Sequence, residues 1–485
     1  MSINSSLSCA LSGLSVAARR AEIVSSNIAN AATPGYGRRV LQIGARTTGT
    51  HGYGVVATGV TRVVDMRVVG QRRLAESNAG STSTLASFYK TLELKIGSPD
   101  EPQSLNGRIA ALDQSLLEAT SHPESEARLD KVATSATALA STIKGVSDTI
   151  QTQRVAADTG IANQVQQLND ALNRVADLNS QIRANSGAAS DPSALMDQRQ
   201  QLIDSISAIV PLREYDRGNG QIALITSGGQ MLVDGGVAKI EFTPVGVIAP
   251  AMMLQSGALS ALMIDGRVVD AVGDNSPIAG GSLAALFKVR DVDGVNAQTR
   301  VDAVARDLVE RFQDPSLDAT RAVGDPGLFT DGSGVFNPVN EVGLAQRLKL
   351  NPVVDPDAGG QLWKLRDGLG ATVPGASGNA SVLNAWESAL TLDRSPVSGN
   401  FMTGVRSFSE LSADFTSLVS TARLGAESDA TYAQAQADTM KSMELENGVD
   451  TDQEMQDLLQ IEQAYSANAK VMSTIDDMIK QLMDL

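Results

Sequence analysis

Residues able to do chemistry are sparse in this chain and do not converge. Asp291-Val292-Asp293-Gly294 has the opening spacing of a calcium loop, in which alternate side-chain oxygens surround the ion and glycine makes the bend. The rest of that pattern is missing, so a turn is expected there. Asp476 and Asp477 are adjacent carboxylates, but they fall in a long helical stretch where a solvated face is the expectation. Cys9 is the only cysteine, which excludes an intrachain disulfide and a cysteine-based metal cluster; it reads as a small helix residue. His51 and His122 are the only histidines, so a multi-histidine metal site is excluded. There is no Gly-x-Ser-x-Gly elbow and no phosphate loop ending in Gly-Lys-Ser/Thr. Asn379-Ala380-Ser381 fits a glycosylation sequon, a pattern too short to weigh, and Trp363 and Trp386 read as core or turn anchors. The expectation is no enzyme, no catalytic residues, no metal and no cofactor.

What must position these residues is a chain of 485 residues, too long for one core, for which two to four domains are expected. Hydrophobic content of 42% allows a real core, while 4% aromatic content means that it is built from aliphatic side chains. A net charge of −16 excludes nucleic acid as partner and opposes docking on anionic lipid, because both need a basic surface. No stretch approaches the length of a membrane span. The start, Met-Ser-Ile-Asn-Ser-Ser, has no basic n-region, and Arg19 and Arg20 come too late for one. The chain is therefore expected in the cytoplasm, or outside the cell by a route that reads no cleaved signal.

The strongest pattern is at the two ends. Leu7, Leu11, Leu14, Ala18, Ala21, Ser25 and Ile28 alternate spacings of four and three. Leu458, Ile461, Tyr465, Asn468, Met472, Ile475, Ile479 and Leu482 do the same near the C-terminus. Each set is the narrow stripe of a coiled-coil helix, which needs another helix to cover it. The termini are expected to pair, with the rest looped out between them. Asn468 is the polar exception; a buried Asn on a seam sets register at a cost in stability, and an exposed Asn on a slightly rotated helix is the alternative. Replacing it with Leu is expected to tighten pairing and permit wrong registers.

Between these ends the period changes several times. The first helix starts near Asn4 or Ser5 and runs to about Ala29. Thr33-Pro34-Gly35-Tyr36 then fits a type II turn, with Gly35 supplying the positive φ. Residues 37–69 read as short strands and extended chain. Residues 71–183 are helical, with Leu85, Phe88, Leu92 and Ile96 on one face, Leu112, Leu116 and Leu117 as a patch, and a long amphipathic run ending at Ile182. A further helix is expected over 194–209. Gly-rich turns mark a β region over 211–279. Helix returns over 283–312, loops with short elements fill 314–384, and helices follow over 382–392 and 408–441. Thr451-Asp452-Gln453-Glu454 fits a capping box that opens a last helix reaching about Asp484.

The fold class expected is α+β, predominantly α, with paired N- and C-terminal coiled-coil helices, a long-helix bundle and a smaller β-rich region inserted farthest from the termini. The division expected is residues 1–45 with 446–485, then 46–210 with 280–315 and 385–445, then 211–279, and a loop-rich outer region over 316–384.

Ser25-Ser26-Asn27-Ile28-Ala29-Asn30-Ala31-Ala32-Thr33-Pro34-Gly35-Tyr36 resembles the N-terminal signature of bacterial flagellar rod, hook and hook-associated proteins. Asp452 to Leu485, with Gln463-Ala464-Tyr465-Ser466-Ala467-Asn468-Ala469-Lys470-Val471, resembles the matching C-terminal signature. Asp197-Gln198-Arg199-Gln200-Gln201-Leu202-Ile203-Asp204, Ser227-Gly228-Gly229-Gln230-Met231-Leu232-Val233, and Gly280-Gly281-Ser282-Leu283-Ala284-Ala285-Leu286 before Arg290-Asp291 resemble the FlgK family of first hook-associated proteins. A departure is Phe312-Gln313-Asp314-Pro315, which stands where the family often continues with an Asn-containing stretch and a Gly-rich loop.

The resemblance implies a structural protein of the flagellum, an adaptor ring at the hook–filament junction required for filament assembly and so for motility. It implies a homo-oligomer whose partners are the hook protein and a second hook-associated junction protein. Export would go through the flagellar type III apparatus, with a chaperone holding the C-terminal region. It makes the seam residues assembly surfaces, and Thr33, Pro34, Gly35 and Tyr36 an inter-domain joint. A hook or distal rod protein is the alternative within the superfamily; a secreted peptidoglycan-cleaving enzyme and a cytosolic coiled-coil scaffold are alternatives of other classes. Energetics agree with folding on assembly. Burying a seam leucine gains about 1.5–3 kcal/mol, and ordering each residue costs about 1–2 kcal/mol. An unpartnered helix with one narrow stripe is therefore labile.

Overall fold

The structure, a computed structural model, describes residues 3–48, 51–186, 191–273 and 275–483. The chain is α+β and predominantly α. In order it forms α1 (Ile3–Ala29), β1 (Arg38–Thr48), β2 (His51–Val63), α2 (Met66–Ile96), α3 (Leu105–Ser121), α4 (Glu126–Ala184) and α5 (Ser193–Ser207). There follow β3 (Leu212–Gly218), β4 (Gln221–Thr226), β5 (Met231–Asp234), β6 (Gly236–Val237), β7 (Ile240–Glu241), β8 (Leu262–Ile264) and β9 (Arg267–Val269). The remainder is α6 (Gly281–Lys288), α7 (Gly294–Gln313), β10 (Phe329–Asp331), α8 (Leu344–Arg347), β11 (Leu348–Leu350), α9 (Trp363–Asp367), α10 (Ser381–Thr391), α11 (Phe408–Glu446) and α12 (Thr451–Met483). The expected end of the last helix at Asp484 lies outside the described residues.

The spine is α4, 59 residues and so about 90 Å long at 1.5 Å per residue. Its buried face continues from Leu129 to Ile182, interrupted at mid-helix by the buried polar Gln151, Arg154 and Asp158, and a different core covers each half. The N-terminal half packs with α3, α7, α10 and the start of α11 around the buried Trp386, Phe312 and Phe415. The C-terminal half packs with α5, α6 and two antiparallel sheets, ordered β3-β4-β5-β6 and β7-β8-β9. A second long element is the antiparallel pair of α2 and α11, with Arg72 on Glu444 at one end and Arg423 on Glu93 at the other. Between those ion pairs Ala75 and Ala79 meet Ala433 and Ala437, small side chains that let the two helices approach closely.

Helix ends follow local chemistry. Asp65 caps α2 by accepting from the N–H groups of Arg67 and Val68, and Ser407 with Glu410 forms a capping box on α11. The expected box on α12 is not formed. Asp450 takes the cap, accepting from the N–H groups of Asp452 and Gln453 at 2.9 and 3.1 Å. This frees the Glu454 side chain for another partner.

Four placements differ from the sequence reading. Residues 38–63 are one antiparallel hairpin that packs on α1, so a border at 45/46 cuts through a paired element. The β-rich region is not farthest from the termini. Glu214 on β3 pairs with Arg73 near the start of α2, and the β3–β4 turn at Gly220 is held by Arg199, which puts this region beside the joint described below. The segment 316–384 is loop-rich but is not an outer region, since Leu328, Phe329, Leu344, Leu348, Val354 and Leu365 belong to the core around α4. Its apolar residues follow no period, so the pattern gave no sign of burial. Asp291 to Gly294 is not a turn: Val289–Asp293 is a π-helical turn joining α6 to α7, and Asp291 accepts from Arg290 at 2.8 and 2.9 Å. A smaller difference is Leu117, which is exposed while Leu112 and Leu116 are buried. At the departure after Phe312, α7 ends at Gln313 and Asp314 caps a short 3-10 turn over 315–317.

Candidate functional site: the terminal helix pair and its joint

The two ends do come together. α1 and α12 lie antiparallel: Gly13 faces Asn468, and fourteen residues further along α1, Asn27 meets Glu454. On α12 six of the eight stripe residues are covered at least in part. Ile461 and Ile475 are buried, and Leu458, Asn468, Met472 and Ile479 are half-buried. Tyr465 and Leu482 are exposed, at 49% and 61%. On α1 the stripe is turned from the one read. The covered face is Ala10, Ala17 and Val24 with Leu7, Leu14, Ala21 and Ile28 half-buried, whereas Leu11, Ala18 and Ser25 are exposed. Val16 and Asn27, also buried, face the hairpin side, so α1 is covered on two sides.

Asn468 does not bond across the seam. Its amide donates back to the Ala464 carbonyl at 2.9 Å, and a Cβ on Gly13 would stand 2.8–2.9 Å from its side-chain atoms. The match there is one of size, glycine against amide. The hairpin docks by the same device. Gly54 has φ +104, and a Cβ there would meet Ser12 Oγ at 2.0 Å and Cys9 Cα at 3.1 Å. Cys9 is half-buried beneath it, as a small helix residue.

At the inner end of the pair the apolar seam gives way to a buried polar node. The Asn27 amide donates to the Arg39 carbonyl (2.9 Å) and to Glu454 Oε2 (3.0 Å). Its Oδ1 accepts from Tyr36 Oη (2.9 Å) and from the Arg39 N–H (3.0 Å). Arg38 Nε donates to Glu454 Oε1 at 2.6 Å. Asn27 and Glu454 are both 1% exposed. One amide thus ties the end of α1, the start of β1 and the first turn of α12.

The joint follows immediately. Tyr36 N–H donates to the Thr33 carbonyl at 3.2 Å and Gly35 has φ +75, as the type II turn requires. Thr33 and Pro34 are exposed, Gly35 and Tyr36 half-buried. The turn is gripped by one face of α5. Gln201 donates to the Pro34 carbonyl (2.8 Å), and Asp197 accepts from the Gly37 N–H (3.0 Å), Arg39 (3.1 Å) and Arg62 (2.7 Å). Arg62 also donates to Gln200 and to the Gly35 carbonyl. The same helix reaches the body. Asp204 pairs with Arg72 and Arg73 at 2.7 and 2.6 Å, and Arg199 donates to Asn179 and to the Gly220 carbonyl. Burial opposes the charge on Arg72, but Asp204, Glu76 and Glu444 outweigh it and push its pKa up. Arg199 touches no carboxylate, and burial pulls its pKa down.

Among the described residues no group of three or more His, Cys, Asp or Glu side chains is disposed to hold a metal ion. No helix among the described residues is long and apolar enough to cross a membrane. The geometry joins elements and presents helical faces. Sequence reasoning marked the turn over 33–36 and the two end helices, but on α1 it chose a stripe turned from the covered one. It missed Asn27, Arg38, Glu454, Asp197 and Arg62 as the groups that hold them. Asn27 and Asp197 lay inside recognisable motifs, and Glu454 was spent on a cap.

Comparison with known proteins agrees with this division. Residues 7–36 match the flagella basal body rod protein family, and residues 446–485 match the C-terminal family of the flagellar basal body rod FlgEFG proteins. Both termini thus match families of flagellar rod proteins. Residues 92–328, just under half of the chain, match the helical domain of the flagellar hook-associated protein FlgK. Flagellar hook-associated protein 1 of Salmonella typhimurium is 28% identical over 244 residues, 49% of this chain and 44% of the relative, so this chain spans less than half the length of that relative. The protein of the same name from Bacillus subtilis is 22% identical over 95% of this chain and 94% of its own, and that from Escherichia coli is 23% identical over the whole of both. A solved flagellar hook junction protein FlgK from Burkholderia pseudomallei is similar at 20% identity and a TM-score of 0.45, covering 54% of this chain and 47% of that one.

Proposed function

We propose that this chain is a structural protein of the bacterial flagellum, an adaptor ring at the hook–filament junction on which the filament is built. The observation that carries the reading is the antiparallel pair of α1 and α12, joined to a long helical body through one gripped turn. That pair covers only part of its apolar surface, since Leu11, Leu459, Val471, Met478 and Leu482 remain exposed. Such faces suit helices that complete their burial against other subunits.

On this reading the seam residues Leu7, Leu14, Ala21, Ile28, Leu458, Ile461, Met472, Ile475 and Ile479 serve pairing within a copy. Leu11, Ala18, Tyr465 and Leu482 serve contacts between copies, and Thr33 to Tyr36 is the joint between inner helices and outer body. The chain is exported unfolded at its ends by the flagellar secretion apparatus, with a chaperone on the C-terminal helix. It folds fully only beside hook protein, a second junction protein and further copies of itself. It acts outside the cell and performs no catalysis; absence of muropeptide release by the purified protein checks the last point. The long helical body speaks against a hook or distal rod protein.

The test is a deletion strain. Hooks should form, filaments should be missing, and flagellin should collect in the medium. Normal filaments on that strain overturn the reading.

A further inference from the structure

Seven arginines are buried among the described residues, and six of them have their charge answered within the chain. Arg72, Arg73, Arg290, Arg311 and Arg366 each pair with a carboxylate. Arg154 donates from all three nitrogens, to the Arg290 and Met252 carbonyls and to the Gln151 side chain. Arg199 is the exception. It is 8% exposed, and only its Nη1 is engaged, donating to Asn179 Oδ1 at 2.7 Å and to the Gly220 carbonyl at 2.6 Å. Its Nε and Nη2 have no partner among the described residues. Those two nitrogens form one edge of the planar guanidinium, a fork of parallel N–H donors that matches the two oxygens of a carboxylate.

Arg199 lines a cavity of about 460 Å³, a size within the about 300–1,000 Å³ of small-molecule sites. Met196, Arg199 and Ile203, three and four residues apart, bring one face of α5 to it. The β3–β4 pair and the start of α2 supply the other walls, and Met66, Met196, Ile203 and Ile222 are the apolar lining. The remaining charged groups there are Arg62, held by Asp197, Glu214, held by Arg73, and the exposed Asp216, which accepts from the Gly218 N–H at 2.8 Å. The unanswered positive charge is therefore that of Arg199, and the two carboxylates oppose a second negative charge on whatever it meets. We infer that this cavity binds a small aliphatic monocarboxylate, its two oxygens on the Nε–Nη2 edge of Arg199 and its tail among Met66, Met196, Ile203 and Ile222. The inference is independent of the assembly reading above. A ligand so placed ties α5, α2 and the β3–β4 pair together beside the joint.

The test is a titration of the purified full chain with hexanoate, read by saturation transfer from the protein to the hexanoate methyl protons. A dissociation constant of about 1 mM is expected. Hexanol, with the same tail and no charge, and inorganic phosphate, with more than one negative charge, should each bind at least about tenfold more weakly. Arg199→Lys keeps the charge without the fork and should weaken hexanoate about tenfold. Met66→Trp narrows the cavity and leaves Arg199 and its hold on the β3–β4 turn in place, so it serves where the first variant misfolds; it should weaken hexanoate more than acetate. No saturation by about 10 mM hexanoate, hexanol or phosphate binding as tightly as hexanoate, or binding unaffected by either substitution overturns the site.

Discussion

Asn27 is the residue on which the terminal pair turns. It has no charge, yet it satisfies two backbone groups of Arg39, the Tyr36 hydroxyl and one oxygen of a carboxylate that is 1% exposed. Removing one partner of a buried charged group costs more than the bond was worth, because the group left behind keeps its desolvation penalty. Asn27→Ala should therefore loosen α12 from α1 by about 2–3 kcal/mol. Hydrogen exchange should rise along α1 and α12 and stay unchanged along α4; an equal rise in both would contradict a local role. The glycines act through space, not charge. Gly54→Ala places a Cβ on Ser12 in a backbone conformation that L residues avoid. It should lift the hairpin from α1 and expose the chain around Gly54 to limited proteolysis. An unchanged cleavage pattern would show that the hairpin can shift. Gly13→Ala should weaken pairing unless Asn468 is shortened as well; a double-mutant cycle with Asn468→Ala should give a coupling of about 1 kcal/mol. Additivity within about 0.3 kcal/mol would remove the size match as an explanation.

At the scale of elements, α5 is a short helix with an outsized share of the connections. Asp197, Gln200 and Gln201 hold the turn and hairpin, Arg199 holds the β3–β4 turn, and Asp204 holds α2. Fifteen residues thereby fix the terminal unit, the β-rich part and the long helix pair to one another. Asp197→Ala leaves Arg39 and Arg62, both largely buried, without their shared carboxylate. A loss of about 3–5 kcal/mol is expected at the joint. The measurement is the distance between spin labels on α1 and α4, which should broaden from one separation to many. A single sharp distance in the variant would mean that Gln200 and Gln201 suffice. The motif around Asp197 was visible in the sequence, but its role was not. Its partners are more than 130 residues away along the chain, and a periodic pattern carries no information about which distant group a polar side chain meets.

For the whole molecule, stability should carry a pH signature from Asp302. It is buried in the core of the helical body, where it accepts from the N–H groups of Gly343 (2.7 Å) and Ala345 (2.9 Å) and from Gln298 (2.9 Å). Burial nevertheless raises its pKa from 3.8 to about 6. The folded chain then binds this proton more tightly than the unfolded chain. The contribution is present below about pH 4 and is lost as pH rises through 6, by about 3 kcal/mol at most. Urea unfolding at pH 4 and pH 7 should differ less in Asp302→Asn than in the parent, since every other carboxylate is common to both. An identical pH dependence would show that the bound N–H groups hold the carboxylate at its ordinary value. The terminal pair should melt separately from the body, because its apolar cluster among the described residues is small: Ala17, Val24 and Ile461 with Ala21, Ile28 and Leu458 around it.

The sequence by itself determined the periodic elements: two seamed end helices, the long amphipathic helices and a turn at Pro34-Gly35. These are local properties, set by spacing, caps and backbone sterics. Only the tertiary structure decided which side of α1 is covered. Two stripes that share Leu7, Leu14, Ala21 and Ile28 differ by a small rotation, and on a helix rich in Ala and Ser both are apolar enough to bury. The partner chooses between them, and α12 and the hairpin together choose Ala10, Ala17 and Val24. The structure likewise decided that 316–384 enters the core and that Glu454 leaves its own helix end for Asn27 and Arg38. The reason is common to all three. Burial without a period, and polar contacts across hundreds of residues, are set by what the folded chain brings near, and no window of sequence contains them.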